Sequence, residues 1–320
     1  MMPEVTVILP VYNEETHLEE CLLSLLGQTF PKENMEWIVV DGGSTDATPV
    51  ILEQFRIKGP FRLLSNPGKT TPSSLNMAIR CAKGRYIVRM DAHSVYQSDY
   101  IDKCIQCLEQ TGAENVGGCF DVRGEGILGK GFAALLSSPF GVGGAAFRSS
   151  KESGYVETVP YGTWHKELFD RIGFFDEELA RSEDNDLNQR IRSSGGKIYL
   201  DASIRIIYYC RNTLNEILRI GLNNGNALFH TLRKNPGAMR LRHYIPFLFL
   251  FSLVIFGLGT LFHPVFGKLL LAELMIYFLL DLYFSLRNPK NALVTLWLYP
   301  LFHLTYGLGS ALGILNIRTY

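Results

Sequence analysis

The stretch Val5–Tyr12, VTVILPVY, is a short apolar run directly before Asn13. An apolar run of this length predicts a strand that is buried on both faces, as the strands of a parallel sheet are. Leucines recur at helical spacing over Leu18–Leu26, and Gly27 lies where that helix is expected to end. A second apolar run, EWIVVD, ends at Asp41. The chain therefore begins with a predicted strand, helix and strand.

The alternation of helix and strand continues after Asp41. The segment ATPVILEQFRIKG predicts a helix, FRLLS a strand, TPSSLNMAIRCAKG a helix and RYIVRM a fourth strand. This order predicts an α/β domain with a largely parallel sheet. Ligands of such sheets bind beyond the carboxyl ends of the strands. Here those ends carry Asn13, Glu14, Asp41 and Asp91.

The charges of the chain balance, with 31 Lys and Arg residues against 31 Asp and Glu residues. Proteins that bind nucleic acid usually have a basic excess, so nucleic acid is not an expected partner. The N-terminal stretch becomes acidic too early for a secretory signal peptide, which predicts that this part of the chain is cytoplasmic. We expect the six cysteines to be reduced there.

The last quarter of the chain has the composition of a membrane domain. Its three apolar segments are Tyr244–His263, Val265–Leu286 and Ala292–Leu315. Each approaches the roughly 20 residues that a membrane-spanning helix needs, although a buried hydrophobic subdomain is an alternative. The basic residues just before the first segment are Arg233, Lys234, Arg240 and Arg242. By the positive-inside rule we expect a multi-pass protein of the cell (inner or plasma) membrane with its α/β domain in the cytoplasm.

These patterns divide the chain into three parts. Residues 1–212 are the expected α/β domain, and residues 244–320 are an expected membrane domain of three helices. The segment LNEILRIGLNNGNALFHTLRKN between them is amphipathic, and the basic cluster follows it. We therefore expect residues 213–243 to form linker helices at the membrane surface.

Asp91 and His93 flank one residue at the end of the fourth predicted strand, in the sequence DAHS. Side chains two positions apart in an extended chain point to the same side, so both could bind one ion. A carboxylate with an imidazole suits Mn²⁺. The sequence therefore predicts a metal site, and an ordinary strand end is the alternative.

Two further acidic features are candidates for chemistry. Asp41, in VVDGGSTD, can accept hydrogen bonds from a base or a ribose, or it can be a turn residue. Glu183, Asp184 and Asp186 cluster at a predicted helix start, where Ser182 is the expected N-cap. Such clusters also occur as helix caps, so a structural role for them stays open.

Five segments in order resemble glycosyltransferase family 2, whose members are inverting enzymes with the GT-A fold. They are TVILPVYNEE, VVDGGSTDAT, LNMAIRCAKGRYIVRMDAHS, GFFDEEL and SEDNDLNQRI, and the resemblance covers about Val5–Arg211. The segments DAHS and GVGGAAFR and the apolar C-terminus are similar to the succinoglycan-biosynthesis branch. The resemblance implies a Rossmann-like GT-A domain with a mostly parallel sheet, followed by an all-α transmembrane region.

The resemblance also implies a role for each candidate residue. The residues implied to bind the nucleotide sugar are Pro10, Tyr12, Asn13, Glu14, Asp41, Asp46, Lys69, Asn76 and Arg211. Among them, Asp41 would hold the uracil or ribose, Asp46 would close the turn, and Arg211 would lie near the diphosphate. Asp91 and His93 would bind Mn²⁺ or Mg²⁺, and Asp184 would be the catalytic base, with Glu183 beside it.

The activity that the resemblance implies is metal-dependent, inverting transfer of a sugar from a nucleotide sugar to a hydroxyl group. We expect a UDP-sugar as donor and a lipid-linked or glycan acceptor in polysaccharide or glycolipid biosynthesis. The chain lacks the QxxRW motif of processive synthases, which favours addition of single sugars. Two alternatives stay open, a polyprenyl-phosphate sugar synthase and a non-catalytic membrane scaffold.

Overall fold

The computed structural model describes residues 2–59, 61–68 and 70–319, so Lys69 lies outside the described residues. The strands are β1 (Val5–Val11), β2 (Met35–Asp41), β3 (Phe61–Ser65), β4 (Tyr86–Arg89), β5 (Ser94–Tyr96), β6 (Asn115–Arg123), β7 (Gly154–Tyr155), β8 (Thr163–His165) and β9 (Ile198–Tyr209). The helices of the first 200 residues are α1 (Leu18–Leu26), α2 (Thr48–Arg56), α3 (Thr71–Cys81), α4 (Tyr100–Thr111), α5 (Gly126–Leu136), α6 (Pro139–Val142), α7 (Ala146–Ser149), α8 (Leu168–Ile172) and α9 (Glu183–Ser193). The remaining helices are α10 (Leu214–Lys234), α11 (Leu241–Gly259), α12 (Pro264–Leu286) and α13 (Ala292–Ile314).

The chain folds into two compact units. The first comprises Met1–Asp121 and Ser150–Tyr209, and the second comprises Val122–Ser149 and Cys210–Tyr320. The first unit contains the sheet and the candidate site residues up to Glu183 and Asp184. The second unit is helical.

The first unit is built on a mixed sheet with the strand order β3–β2–β1–β4–β8–β6–β9–β5, and β7 pairs with β9. The pairs β1–β2, β2–β3 and β1–β4 are parallel, as the strand–helix alternation predicts. The pairs β4–β8, β6–β8, β5–β9 and β7–β9 are antiparallel. The α/β class is therefore confirmed, but the sheet is mixed rather than mostly parallel. Its N-terminal strands form a parallel half, and an antiparallel half lies beside it.

The order of the strands reverses at β1, because β2 and β3 lie on one side of it and β4 lies on the other. Such a reversal opens a crevice at the carboxyl ends of the two strands that flank it. The register pairs Ile8 with Arg89. Gly84 allows β4 to lie this close, because a Cβ atom there would be 2.5 Å from the backbone nitrogen of Thr6. The residues that follow β1 and β4 therefore meet at one edge of the sheet.

Helix α1 covers one face of this sheet with the leucines that the sequence predicts to be periodic. Leu18, Leu22 and Leu25 are each at most 1% exposed, and they belong to the same core as Val7 and Val88. Burial of a leucine contributes about 1.5–3 kcal/mol, so this face supplies much of the stability that fixes the crevice.

The second unit is held together by close packing of α10 on α13. Helix α10 begins at a capping box in which Thr213 and Glu216 exchange hydrogen bonds. A Cβ atom at Gly225 would clash with the carbonyl oxygen of Tyr306, and one at Gly309 would clash with that of Leu222. These glycines therefore bring the two backbones into contact, so that α10 covers one face of α13.

Two helices in the described part of the chain, α11 and α12, are long and apolar enough to cross a membrane. Large apolar side chains are exposed along both, among them Phe251 and Leu279. The third predicted segment forms α13, but Leu298 and Phe302 on this helix are at most 3% exposed. A membrane domain of three spanning helices thus stays a prediction.

Candidate active site

Arg89 is an arginine at the end of an otherwise apolar strand, and its side chain is only 3% exposed. Its Nε donates to Oδ1 of Asp91 at 2.9 Å, and its Nη2 donates to Oδ2 at 3.1 Å. The guanidinium also lies over the ring of Tyr161, 5.7 Å from its centroid. The backbone N–H of Asp91 donates to the hydroxyl of Tyr96 at 2.6 Å. Asp91 is therefore fixed at the strand end by both its side chain and its backbone.

The same guanidinium reaches the first turn of α9. Its Nη1 donates to Oδ1 of Asp184 at 2.6 Å, and its Nη2 donates to Oε1 of Glu183 at 3.2 Å. One buried cation thus joins three carboxylates from two distant segments. Ser182 precedes this helix with a φ of 66° and its side chain makes no capping hydrogen bond, so the helix does not begin with the serine cap that its sequence suggests.

The charges in this cluster shift the pKa values of its members. Desolvation raises the pKa of Asp184 to about 8; Arg89 opposes this rise, whereas Glu183 and Asp91 add to it. Desolvation acts to lower the pKa of Arg89, but the three carboxylates raise it well above its usual value. Arg89 is therefore a permanent cation, and Asp184 can exchange a proton near neutral pH. The Asp184 side chain keeps 29% of its surface exposed, so another molecule can reach it.

His93 is bonded to the loop that follows β1. Its Nδ1 lies 3.1 Å from Oε1 of Glu14, and its ring packs edge-on against Tyr208 with centroids 5.2 Å apart. The backbone N–H of Glu14 donates to Oγ1 of Thr48 at 2.9 Å. Histidines that bind metals usually donate their second ring N–H to a carboxylate, which fixes the tautomer. The pairing with Glu14 therefore leaves Nε2 of His93 as the candidate metal ligand.

A divalent cation is compatible with these residues. Within residues 2–59, 61–68 and 70–319, no three His, Cys, Asp or Glu side chains are grouped to hold a metal by themselves. Mg²⁺ in proteins is commonly held by one or two carboxylates together with substrate phosphates, and Asp91 can supply one such carboxylate. His93 lies in the turn that follows, not on an extended strand as the sequence suggests. Each Asp91 oxygen accepts one hydrogen bond from Arg89 and has a second lone pair for a metal.

The loops that follow β1 and β2 are tied to each other at the same edge of the sheet. Oδ1 of Asp41 accepts from the hydroxyl of Ser44 at 2.6 Å, and this hydroxyl accepts from the backbone N–H of Asn13 at 2.9 Å. Oδ1 of Asn13 accepts from the backbone N–H of Thr45 at 2.8 Å. Asn13 has a φ of 51°, which asparagine tolerates better than most residues. Asp41 thus closes a turn, and Tyr12 beside it is 50% exposed.

The other residues predicted to bind the nucleotide sugar have different surroundings. Asp46 accepts from the backbone N–H of Thr48 at 3.0 Å and from that of Glu15 at 3.2 Å. Asn76 is 2% exposed and binds the backbone of Phe175 through both its nitrogen, at 2.9 Å, and its oxygen, at 3.0 Å. Pro10 lies within β1, and Arg211 belongs to the second unit. The structure therefore joins Asp91, Glu183 and Asp184 through Arg89, and it pairs His93 with Glu14. Asn76 has a packing role.

Residues 6–160 match the model of glycosyl transferase family 2. The chain therefore contains a glycosyl transferase family 2 domain. It is 27% identical over 266 residues to a dolichyl N-acetylglucosaminyl phosphate diacetamido-dideoxyglucuronosyltransferase of Methanococcus voltae, covering 79% of this chain and 82% of that protein. It is 27% identical over 243 residues to the succinoglycan biosynthesis protein ExoA of Rhizobium meliloti, covering 75% of this chain and 73% of that protein.

Two solved structures show the fold of this glycosyltransferase. The mannosyltransferase PcManGT of Pyrobaculum calidifontis, in complex with GDP-Man and Mn²⁺, matches with a TM-score of 0.65 and 18% identity, covering 99% of this chain and 88% of that one. S. aureus TarS 1–349, in complex with UDP-GlcNAc, matches with a TM-score of 0.51 and 17% identity, covering 99% of this chain and 93% of that one. These likenesses confirm the expected GT-A fold.

Arg89 is the site residue that the sequence did not identify. The available signal was a charged residue inside the apolar run YIVRM, where an unpaired cation would be costly. Such a residue indicates a buried anionic partner. In this glycosyltransferase the partners follow 2, 94 and 95 positions later in the chain.

Proposed function

We propose that this glycosyltransferase transfers a sugar from a UDP-sugar to a hydroxyl group of a lipid-linked or glycan acceptor, with inversion at the anomeric carbon and with Mn²⁺ or Mg²⁺. One observation carries the proposal: Arg89 binds both Asp91, the proposed metal ligand, and Asp184, the proposed base. Two groups with complementary roles are thus held by a single rigid cation.

Asp184 is the proposed general base. Arg89 binds Oδ1, so Oδ2 is the atom proposed to accept the proton from the acceptor hydroxyl. A base works best when its pKa lies near the working pH, and the pKa of about 8 for Asp184 meets this condition. The hydroxyl would then attack the anomeric carbon from the face opposite the leaving diphosphate, which inverts the configuration. Glu183 assists by sharing the guanidinium with Asp184.

Asp91 and Nε2 of His93 are the proposed metal ligands, with Glu14 orienting the histidine. A bound divalent cation would supply positive charge against the departing nucleotide diphosphate. Arg89 holds Asp91 through both carboxylate oxygens, so this side chain needs little rearrangement to bind a cation.

The turn made by Asn13, Asp41 and Ser44 is the proposed site for the nucleoside. The exposed ring of Tyr12 can stack on the base, and Asp41 can accept a hydrogen bond from it. The proposed remainder of the donor site comprises Pro10, Glu14, Asp46, Lys69 and Arg211. The complexes of PcManGT with GDP-Man and TarS with UDP-GlcNAc support a nucleotide sugar as donor.

Two observations support a lipid-linked acceptor at a membrane. The relative from Methanococcus voltae is named for a dolichyl phosphate-linked sugar. Helices α11 and α12 could anchor the enzyme in the cell membrane, and the basic residues from Arg233 to Arg242 favour a cytoplasmic catalytic unit.

The proposal can be tested with membranes that contain the protein and a panel of labelled nucleotide sugars. We expect label from a UDP-sugar to enter the lipid extract in the presence of Mn²⁺ or Mg²⁺ and to leave the donor with inverted configuration. Retention of configuration, or transfer that continues in excess chelator, would contradict the mechanism. A polyprenyl-phosphate synthase would instead attach the sugar directly to the lipid phosphate, and mild acid would release the labelled sugar alone.

A further inference from the structure

The helical unit contains a cavity of about 450 Å³ that the proposed chemistry does not use. Its wall includes Lys130 of α5 and Arg287, which directly follows α12. Asn288 and Asn291 add amide groups, and Ala133 and Phe284 add apolar surface. None of the described residues that line it is acidic. The cavity therefore combines two cations and hydrogen-bond donors with an apolar wall.

The position of Arg287 relates this cavity to the membrane. Helix α12 is 23 residues long and apolar, and Arg287 is the first residue after it. A cationic side chain at the end of a spanning helix lies at the level of the lipid headgroups. The guanidinium of Arg287 also lies over the ring of Tyr283, 5.1 Å from its centroid, which holds it at this helix end.

An anion that enters the cavity would meet two positively charged side chains, Lys130 and Arg287. Arginine binds phosphate oxygens with paired N–H groups, and lysine adds a mobile point charge. Phe284 and Ala133 would contact the first carbons of a chain attached to that phosphate. Cationic pockets between helices on the cytoplasmic side are known to take phosphorylated lipid headgroups. The apolar wall favours a lipid-borne phosphate over a free one, because free phosphate has no group to place against it.

We propose that this cavity binds the phosphate group of a lipid at the cytoplasmic face of the membrane, a site that rests on the membrane association in the proposed function. Two lipids could supply that phosphate, the phosphorylated acceptor or a bulk phospholipid. Binding requires Lys130 and Arg287 as the two cations, and it does not require sugar transfer.

The test uses the purified full-length protein in a neutral detergent, with dihexanoyl phosphatidic acid, dihexanoyl phosphatidylcholine and inorganic phosphate as probes in calorimetric titrations. We expect phosphatidic acid to bind more tightly than the other two. Each of Lys130→Gln and Arg287→Gln should weaken its binding about fivefold, since one cation near the surface contributes about 1 kcal/mol. Lys290→Gln is the matched control, because Lys290 is close in sequence but does not line the cavity, and it should have no effect.

Inorganic phosphate binding as tightly as phosphatidic acid would overturn the lipid assignment. Binding that survives in the double variant Lys130→Gln/Arg287→Gln, with an unchanged melting temperature, would overturn the site. A transfer assay then separates the two lipid sources, each of which supports the site. If the double variant has a higher KM for the lipid acceptor at unchanged kcat, the site binds the acceptor phosphate. If its kinetics match those of the wild type, the site binds a phospholipid. Because the titration involves no transfer, its result stands even if the proposed activity fails.

Discussion

Nη1 of Arg89 lies 2.6 Å from Oδ1 of Asp184, although 95 residues separate them in the chain. This bond joins the end of β4 to the start of α9 inside the crevice of the sheet. Because the same guanidinium holds Asp91 with two hydrogen bonds, any change at Arg89 acts on both the proposed metal ligand and the proposed base. A substitution of Arg89 should therefore affect the stability of the protein.

Arg89→Met should destabilise the protein strongly. Removal of one partner from a buried ion pair costs about 3–5 kcal/mol, and here three carboxylates would lose their cation. We expect a clear fall in melting temperature in detergent. Arg85→Met is the matched control on the same segment. Arg85 is 64% exposed, pairs with Glu109 at 3.5 Å and lies over the ring of Tyr86, 5.1 Å from its centroid. These contacts are at the surface, so its loss should change the melting temperature far less. Equal effects of the two variants would contradict the role of Arg89.

Glu14→Gln should weaken metal binding without abolishing it. Loss of the carboxylate that orients a ligating histidine typically costs 10–100-fold in metal affinity, so more Mn²⁺ should be needed for half-maximal transfer, by about that factor. Asp91→Ala should be worse than His93→Ala, because the carboxylate supplies charge as well as a ligand. Activity should disappear in excess EDTA and return with Mn²⁺ or Mg²⁺.

Glu15→Gln serves as the control for Glu14→Gln. Oε2 of Glu15 accepts from the backbone N–H of Ala47 at 2.8 Å, and a glutamine oxygen can keep that bond. Its Mn²⁺ requirement should match that of the wild type. A Mn²⁺ requirement that stays the same in Glu14→Gln would show that Glu14 does not support a metal ligand.

The single-turnover rate of transfer should rise with pH up to about 8 and then level off. A general base acts in its deprotonated form, and Asp184, with a pKa of about 8, is mostly protonated below that pH. The rate should therefore fall about tenfold per unit in the acid limb. A polyprenyl phosphate acceptor is already ionised over most of this range, so that alternative predicts a nearly flat profile. A flat profile for a hydroxyl acceptor would remove Asp184 as the titrating base.

The protein should resist extraction by carbonate and high salt and dissolve in detergent, since α11 and α12 expose apolar side chains along their length. We expect a tag after residue 320 to lie on the same side as the catalytic unit. Helix α13 is covered by α10, where Nδ2 of Asn226 donates to the carbonyl of Gly309 at 3.3 Å. Protease access to the tag in inverted and right-side-out vesicles would decide this. A tag on the opposite side would support the three spans that the sequence predicts.

The parallel half of the fold could be predicted because its signals are local. The strands β1 and β2 are continuous apolar runs, and the helix α1 has leucines at helical spacing, so each element is specified within about ten residues. Asp91, His93 and Asp184 could be selected as candidates because they follow or begin such elements. Helices α11 and α12 were predicted to within a few residues for the same reason.

The contacts of the site could not be predicted, because they depend on pairs that are distant in sequence. His93 and Glu14 are 79 residues apart, and nothing local distinguishes Glu14 as a partner of a histidine rather than of a nucleotide. The packing of α10 on α13 depends on the close approach of the two backbones at Gly225 and Gly309. Glycine is too common in helices of this kind for its spacing to identify the partner helix.

Single-turnover transfer by Asp184→Asn, beside a titration of the nucleotide sugar with the same variant, tests whether Asp184 is the base. Asparagine keeps the size of the side chain but cannot take a proton, so we expect the rate to fall about 10²–10⁴-fold while donor affinity stays the same. Asp170→Asn, an exposed position on α8, is the control and should transfer at the wild-type rate. Transfer by Asp184→Asn at the wild-type rate would contradict the claim that Asp184 is the base.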